Sequence, residues 1–520
     1  MEKVEVMKAR KENGILLHLS SLPGKYGIGS MGKEARAFVD FLAASGVDAW
    51  QILPVGQTSF GDSPYQSPSA FAGNPYFIDL ETLVEDGLLK NDEIEEHKTG
   101  EADYEWLWNT RYEILEKAFA RFEADSDYEK FVKKADWLDG YALFMAIKKS
   151  QNFMAREFWP KELSLRKNLS ERDAEKFEKQ ADFWRFLQYE FFKQYYDLKA
   201  YAEKKGVKIV GDMPIYVAMD SAEVWETPEL FLFDADGKPT EVAGVPPDAF
   251  SADGQLWGNP LYDWAYHKRT NFKWWKKRLE QNLKMFDVVR IDHFRAFESY
   301  FCIPADSDTA KCGKWREGPM LAPFENVETD GRIIAEDLGI ITDDVRALLK
   351  KSGFPGMKVL QFAFAGGTKG EYLPENFETD NSVVYTGTHD NDTTNGWFKA
   401  ATDKEKQLFS KLTGYFDDDL PLMKMILGKN AVYKTPAEAM IELAMKSRAN
   451  LAVVPLQDYL NLGSEGRMNH PSESGWWKWR AKSSDFDEKL SEKIKRFAEM
   501  RKLKKTVELS AEDQGENERT

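Results

Sequence analysis

Four stretches of the chain set a carboxylate at the end of an apolar, β-prone run: Gly211-Asp212, Arg290-Ile-Asp292-His293-Phe-Arg295, Ala335-Glu336-Asp337 and Thr388-His389-Asp390-Asn391. Two carboxylates across a small site suit glycoside chemistry. One attacks the anomeric carbon and the other protonates the leaving oxygen; a gap of about 5–5.5 Å gives a retaining, covalent route, and a wider gap admits water and inverts. A third carboxylate can bind sugar hydroxyls and favour distortion of the ring. Taken alone, Arg290 and Asp292 fit a structural ion pair equally well. Three carboxylates at three strand ends, two of them beside His, favour catalysis, because burying each without use costs about several kcal/mol unless it is paired.

The runs that end in these groups belong to a series of eight: 14–19, 49–54, 207–212, 286–292, 332–336, 357–364, 382–387 and 450–457. Near-continuous Val/Ile/Leu runs fit strands buried on both faces. The helix-period stretch Glu34 to Ala44, stopped by Gly46, separates the first two and favours a parallel crossover. Eight such strands with helices between them predict an α/β fold, a (β/α)8 TIM barrel, although an open sheet has the same local signature. With a side-chain period of two, Arg290 and Asp292 point into the barrel while Val289 and Ile291 face the helices. Charge alternation and Trp, Phe and Tyr at helical spacing predict a helical insertion over 81–205, between strands two and three. A second insertion is expected over 218–285, between strands three and four. The expected organisation is a single catalytic domain over 1–505, without a separate C-terminal β-domain, and a disordered polar tail over 506–520.

Composition narrows the function classes. The 520 residues carry a net charge of −16 and no long basic run, which disfavours nucleic acid as a partner. No window of 18 apolar residues predicts a membrane span, and the N-terminus lacks the apolar core of a signal peptide. Cys302 and Cys312 fit neither a zinc knuckle nor a redox pair and read as free thiols in the cytoplasm. Aromatic residues are abundant, at 13%.

Ten stretches in one order carry a resemblance: Trp50-Gln-Ile-Leu-Pro54, Gly61-Asp-Ser63-Pro-Tyr65-Gln-Ser, Phe71-Ala-Gly-Asn-Pro-Tyr76, Gly211-Asp-Met-Pro-Ile-Tyr-Val217, Gly244-Val-Pro-Pro-Asp248, Gly254-Gln-Leu-Trp-Gly-Asn-Pro-Leu-Tyr262, Arg290-Ile-Asp-His-Phe-Arg295, Ala335-Glu-Asp-Leu-Gly339, Thr388-His-Asp-Asn391 and Gly466-Arg-Met-Asn469. From about Gly14 to Arg480 the chain resembles the 4-alpha-glucanotransferases, or amylomaltases, of the alpha-amylase clan. The resemblance implies a retaining double displacement on α-1,4-glucans, with maltooligosaccharides or glucose as acceptor and no cofactor or metal. It implies Asp292 as nucleophile, Glu336 as general acid then base, and Asp390 as transition-state stabiliser. Arg290 would position Asp292, His293 and His389 would hold sugar hydroxyls, and Tyr65 would stack on the sugar. Ser63, Asp212, Asp248, Gln255, Trp257 and Asn469 would line the glucan groove. The family commonly carries Pro-Gly in the stretch after Asn469, where this chain reads His470-Pro471-Ser.

Other readings compete. Gly27-x-Gly29-x-x-Gly32 matches a dinucleotide fingerprint, but the second strand ends Leu53-Pro54-Val55 where a ribose-binding acid would stand. The six His show no metal-ligand spacing. A non-enzymatic glucan-binding protein conflicts with the three filled carboxylate positions. An α-glucan hydrolase remains the nearest rival, since it shares the first half-reaction. A transferase must favour a sugar over water, and Trp257, Tyr65 and Phe364 are candidates for acceptor-side stacking, each with core packing as the alternative.

Overall fold

The computed structural model describes residues 11–59, 61–234, 237–247, 253–329, 331–415, 435–471 and 473–516, with side chains to 502. Twelve strands are described: β1 (Glu12–Leu16), β2 (Ala49–Gln51), β3 (Lys208–Met213), β4 (Glu241–Val245), β5 (Gln255–Pro260), β6 (Val288–Ile291), β7 (Ser299–Pro304), β8 (Lys314–Glu317), β9 (Ile333–Ala335), β10 (Gly356–Val359), β11 (Ser382–Tyr385) and β12 (Leu451–Pro455). Eight of them close a parallel barrel in the order β1-β12-β11-β10-β9-β6-β3-β2. Each overlaps one of the eight runs read from the sequence, with ends shifted by a few residues.

The side-chain alternation holds. Val289 and Ile291 sit in the layer between strands and helices. The barrel interior is a separate cluster that includes Leu16, Val210, Ile334, Met357, Val383 and Val453. Arg290 reaches this interior, where its Nε lies 3.4 Å from the Met357 sulfur. Gln51 and Tyr385 bond across it at 2.9 Å. The barrel is thus a filled core with a polar upper layer.

Residues 81–205 are mainly helical. Their main elements are Tyr104–Phe119, Leu138–Ser150 and the 27-residue helix Glu178–Lys204. Trp184, Phe186, Phe191 and Phe192 of the long helix are all buried, which accounts for much of the aromatic content. The second insertion, over 218–285, is only partly helical. It supplies β4 and β5 to a four-stranded antiparallel sheet ordered β5-β4-β7-β8, whose other half follows β6. That pairing joins segments about sixty residues apart, so no local pattern announces it.

The dinucleotide-like glycines have a steric purpose. A Cβ on Gly29 would lie 2.0 Å from the Leu19 carbonyl, and one on Gly32 would meet the Asp79 carboxylate at 2.2 Å. Among the described residues no strand follows β12. The final helix, Glu488–Glu516, runs through most of the segment expected as a disordered tail over 506–520. That segment is polar but contains good helix formers and no Pro before Glu516. No described helix is long and apolar enough to cross a membrane.

Candidate active site

Strand register brings the site together. β3 and β6 pair so that Asp212 stands directly opposite Arg290. Both side chains point inward, and Arg290 Nη1 donates to Asp212 Oδ1 and Oδ2 at 2.8 and 2.7 Å. The same nitrogen donates to Asp292 Oδ1 at 3.1 Å. The Asp292 amide is fixed by the Met213 carbonyl on the neighbouring strand, and the Glu336 amide by the Ile291 carbonyl. Glu336 therefore follows β9 at the level where Asp292 follows β6.

His293 takes a left-handed backbone conformation, with φ of 51°. This turn aims its amide at Glu336 Oε2 at 2.7 Å, while the Leu338 amide donates to Oε1 at 2.7 Å. The ring of His293 meets Trp257 edge-on at 4.9 Å, and Trp257 Nε1 donates to Gln255 Oε1 at 3.1 Å. On the opposite side, Tyr65 Oη donates to Asp212 Oδ2 at 2.8 Å and lies 2.9 Å from His389 Nε2. Ser63 Oγ accepts the Tyr65 amide at 3.3 Å, so it shapes the loop that delivers the ring. Asp390 is fixed by Asn469 Nδ2, which donates to Oδ1 at 2.6 Å.

The structure brings together Tyr65, Ser63, Asp212, Gln255, Trp257, Arg290, Asp292, His293, Glu336, His389, Asp390 and Asn469. Asp248 lies outside the described residues. Asp212 is only 2% exposed and its oxygens are occupied by Arg290 and Tyr65, so it supports the site from beneath. Phe364 packs among Trp397 and Phe409 in the core. Two groups escaped the sequence reading. Arg467 donates to the backbone carbonyls of Asp390 at 2.8 Å and Asn469 at 2.7 Å, tying two rim loops together. His18, just past β1, accepts the Leu53 amide on Nδ1 at 3.2 Å. The strand-end rule that selected Asp212 applies equally to His18.

Burial dominates the electrostatics. It pushes Asp292 up to about 8; Arg290 opposes this, and Asp212, Glu336 and Asp390 reinforce it. Burial also raises Glu336, against Arg290 and the two amide donors. Two such neighbouring carboxyls, both raised, titrate as a pair rather than singly. Burial holds His293 down at about 3, so its ring is neutral. It lowers His389 too, despite Asp390 nearby. Burial works against the charge of Arg290, but Asp212 and Asp292 outweigh it and hold the guanidinium firmly protonated. Among the described residues no cluster could hold a metal ion. The arrangement offers one carboxyl beside a fixed cation, a second carboxyl on the next strand, and a third on the opposite rim.

The family profile described as 4-alpha-glucanotransferase matches residues 17–485. A 4-alpha-glucanotransferase of Clostridium butyricum is 46% identical over 494 residues, covering 92% of this chain and 98% of that protein. One of Thermus thermophilus is 44% identical over 512 residues, covering 95% and 99%. An amylomaltase of Streptococcus agalactiae, solved in complex with acarbose, superposes with a TM-score of 0.88 at 37% identity, covering 95% of this chain and 99% of that one.

Proposed function

The chain belongs to the 4-alpha-glucanotransferase family, and from that premise we propose a role for each residue of its rim. The reaction moves an α-1,4-glucan segment from donor to acceptor by a retaining double displacement. In our assignment, Asp292 attacks the anomeric carbon as the glycosidic C–O bond breaks. Glu336 passes its proton to the departing oxygen, leaving a glycosyl ester on Asp292. In the second half, the acceptor hydroxyl gives its proton to Glu336 and attacks the same carbon, and the Asp292 ester bond breaks. Two inversions return the original configuration.

The observation that carries this reading is the cation held beside Asp292. Arg290 Nη1 is 3.1 Å from Asp292 Oδ1 and favours negative charge there, while burial raises the proton affinity of Glu336 on the next strand. Once Asp292 is esterified its charge is gone, so Glu336 ionises more readily and becomes the base. The amides of His293 and Leu338 then stabilise the Glu336 anion. Asp390 stabilises positive charge developing on the sugar ring. His293 and His389 contact hydroxyls, Tyr65 and Trp257 pack against sugar faces, and Gln255 orients the Trp257 indole. Ser63 and Asn469 line the groove, and we place Asp248 there on its sequence motif alone.

Glucose is proposed as the smallest acceptor, which labelled glucose appearing in longer chains from maltotriose would test. Both cysteines are free thiols, consistent with the cytoplasm. The acid assignment is tested by Glu336→Gln. Transfer from maltotriose should fall by roughly 10²–10⁴-fold, while a glucosyl fluoride, whose leaving group needs no proton, retains much more of its rate. Equal losses on both donors would remove Glu336 from the acid role.

A further inference from the structure

Just beyond the nucleophile, Arg295 links three separate parts of the rim. Its Nη1 donates to the carbonyl of Ile340, four residues past Glu336, and its Nη2 donates to Ser299 Oγ at 2.8 Å. Its guanidinium also lies over the ring of Trp315, 3.8 Å from the centroid. Trp315 stands on β8, the edge strand of the small sheet. Phe301, its cross-strand partner, braces the indole at 5.1 Å and an interplanar angle of 64°.

The indole is thus fixed on a buried cation yet remains 39% exposed. Ile340, whose carbonyl accepts from the same guanidinium, is 45% exposed. A large aromatic held rigid and left open presents a flat apolar face of the kind that packs on a sugar ring. We propose that Trp315 and Ile340 form a ledge that binds the acceptor glucan beyond the bond-forming sugar, with Trp315 stacking on a glucose face. The inference rests on the reading of the rim as a glucan site. Its side follows from chemistry: the leaving and entering oxygens lie on the Glu336 side of the anomeric carbon, and Ile340 extends the Glu336 loop. Arg295 contributes a second element, since pinning the ring beforehand lowers the ordering cost of binding.

The test compares extension of a reducing-end-labelled maltopentaose with extension of an aryl glucoside, each with a maltotriose donor. In Trp315→Ala the ratio of kcat/KM for the long acceptor to that for the short one should fall about tenfold, as for loss of a well-packed aromatic anchor. Trp315→Phe, which keeps a ring, should recover most of the ratio. An unchanged ratio in Trp315→Ala overturns the ledge, whether both activities stay level or fall together through Arg295. Failure of the wild-type protein to extend either acceptor would instead overturn the transferase assignment beneath it.

Discussion

The carboxyls at the barrel's strand ends fall into two groups. Asp292 and Glu336 on one side, and Asp337 and Asp458 on the other, are all deeply placed, and burial raises all four. Their partners differ. Asp458 accepts from Thr386 Oγ1 at 2.6 Å and from the Thr394 amide and hydroxyl, both at 2.7 Å. Asp337 accepts the Met357 amide at 2.6 Å and fills the space a Cβ on Gly356 would need. Asp292 has one side-chain donor among the described residues, Arg290, and is 28% exposed to the groove. A buried carboxyl with a raised proton affinity is therefore not by itself a catalytic group. For Asp292 the distinction is an oxygen left facing the groove, which is what a substrate can engage.

The sharpest way to break this contrast is a pair of alanine variants. Asp292→Ala should lower turnover by at least roughly 10⁴-fold, the scale seen when a nucleophile is removed, with little change in melting temperature. Asp458→Ala should strand three donors and cost about 2–4 kcal/mol of stability, read from denaturant melts. Near-normal turnover of the first, or wild-type melting of the second, would collapse the distinction.

A smaller effect separates the two neighbours Glu336 and Asp337. Burial pushes Asp337 up to about 7, with Lys358 and the Met357 amide opposing it. A carboxyl raised in the folded state binds its proton more tightly there than in the unfolded chain. Its favourable contribution is complete below about pH 4 and is lost as pH rises through about 7. Asp337→Asn keeps an acceptor for the Met357 amide and removes the titration. The melting temperature of the wild type should fall relative to this variant between about pH 4 and 7. A pH-independent difference would mean that Asp337 does not titrate in this range.

Adjacent positions explain what the sequence could reveal. Arg290 and Asp292 were legible because strand alternation puts both inward, and Asp212 because it ends a strand; the β3–β6 register sets it opposite Arg290. Glu336 and Asp337 could not be ranked by type alone; only the packing of Asp337 against Gly356 separates them. The small sheet was hidden because β4 pairs with β7 across an intervening barrel strand. Arg467 was missed because it acts on backbone carbonyls rather than on a side chain with recognisable chemistry. Phe364 reads as a strand end, but the strand stops at Val359, and local pattern does not tell a ring facing the groove from one facing Phe409.

Asn469 provides the smallest and most discriminating perturbation. Its Nδ2 holds Asp390 Oδ1 at 2.6 Å, and the Asp390 side chain is otherwise 45% exposed. Asn469→Ala leaves Arg467 tied to the Asp390 carbonyl, so the backbone stays while the carboxylate is free to turn. If Asn469 positions Asp390, kcat should fall roughly ten- to hundredfold with KM nearly constant, since small misplacement of a charge-stabilising group is felt mainly in the transition state. If Asn469 only binds a sugar hydroxyl, KM should rise while kcat holds. Asn469→Asp tests the same point from the other direction: a second anion against Asp390 should lower kcat further than alanine does. A kcat for Asn469→Asp above that of Asn469→Ala would mean that the amide, and the fixed orientation it gives Asp390, is not what the chemistry uses.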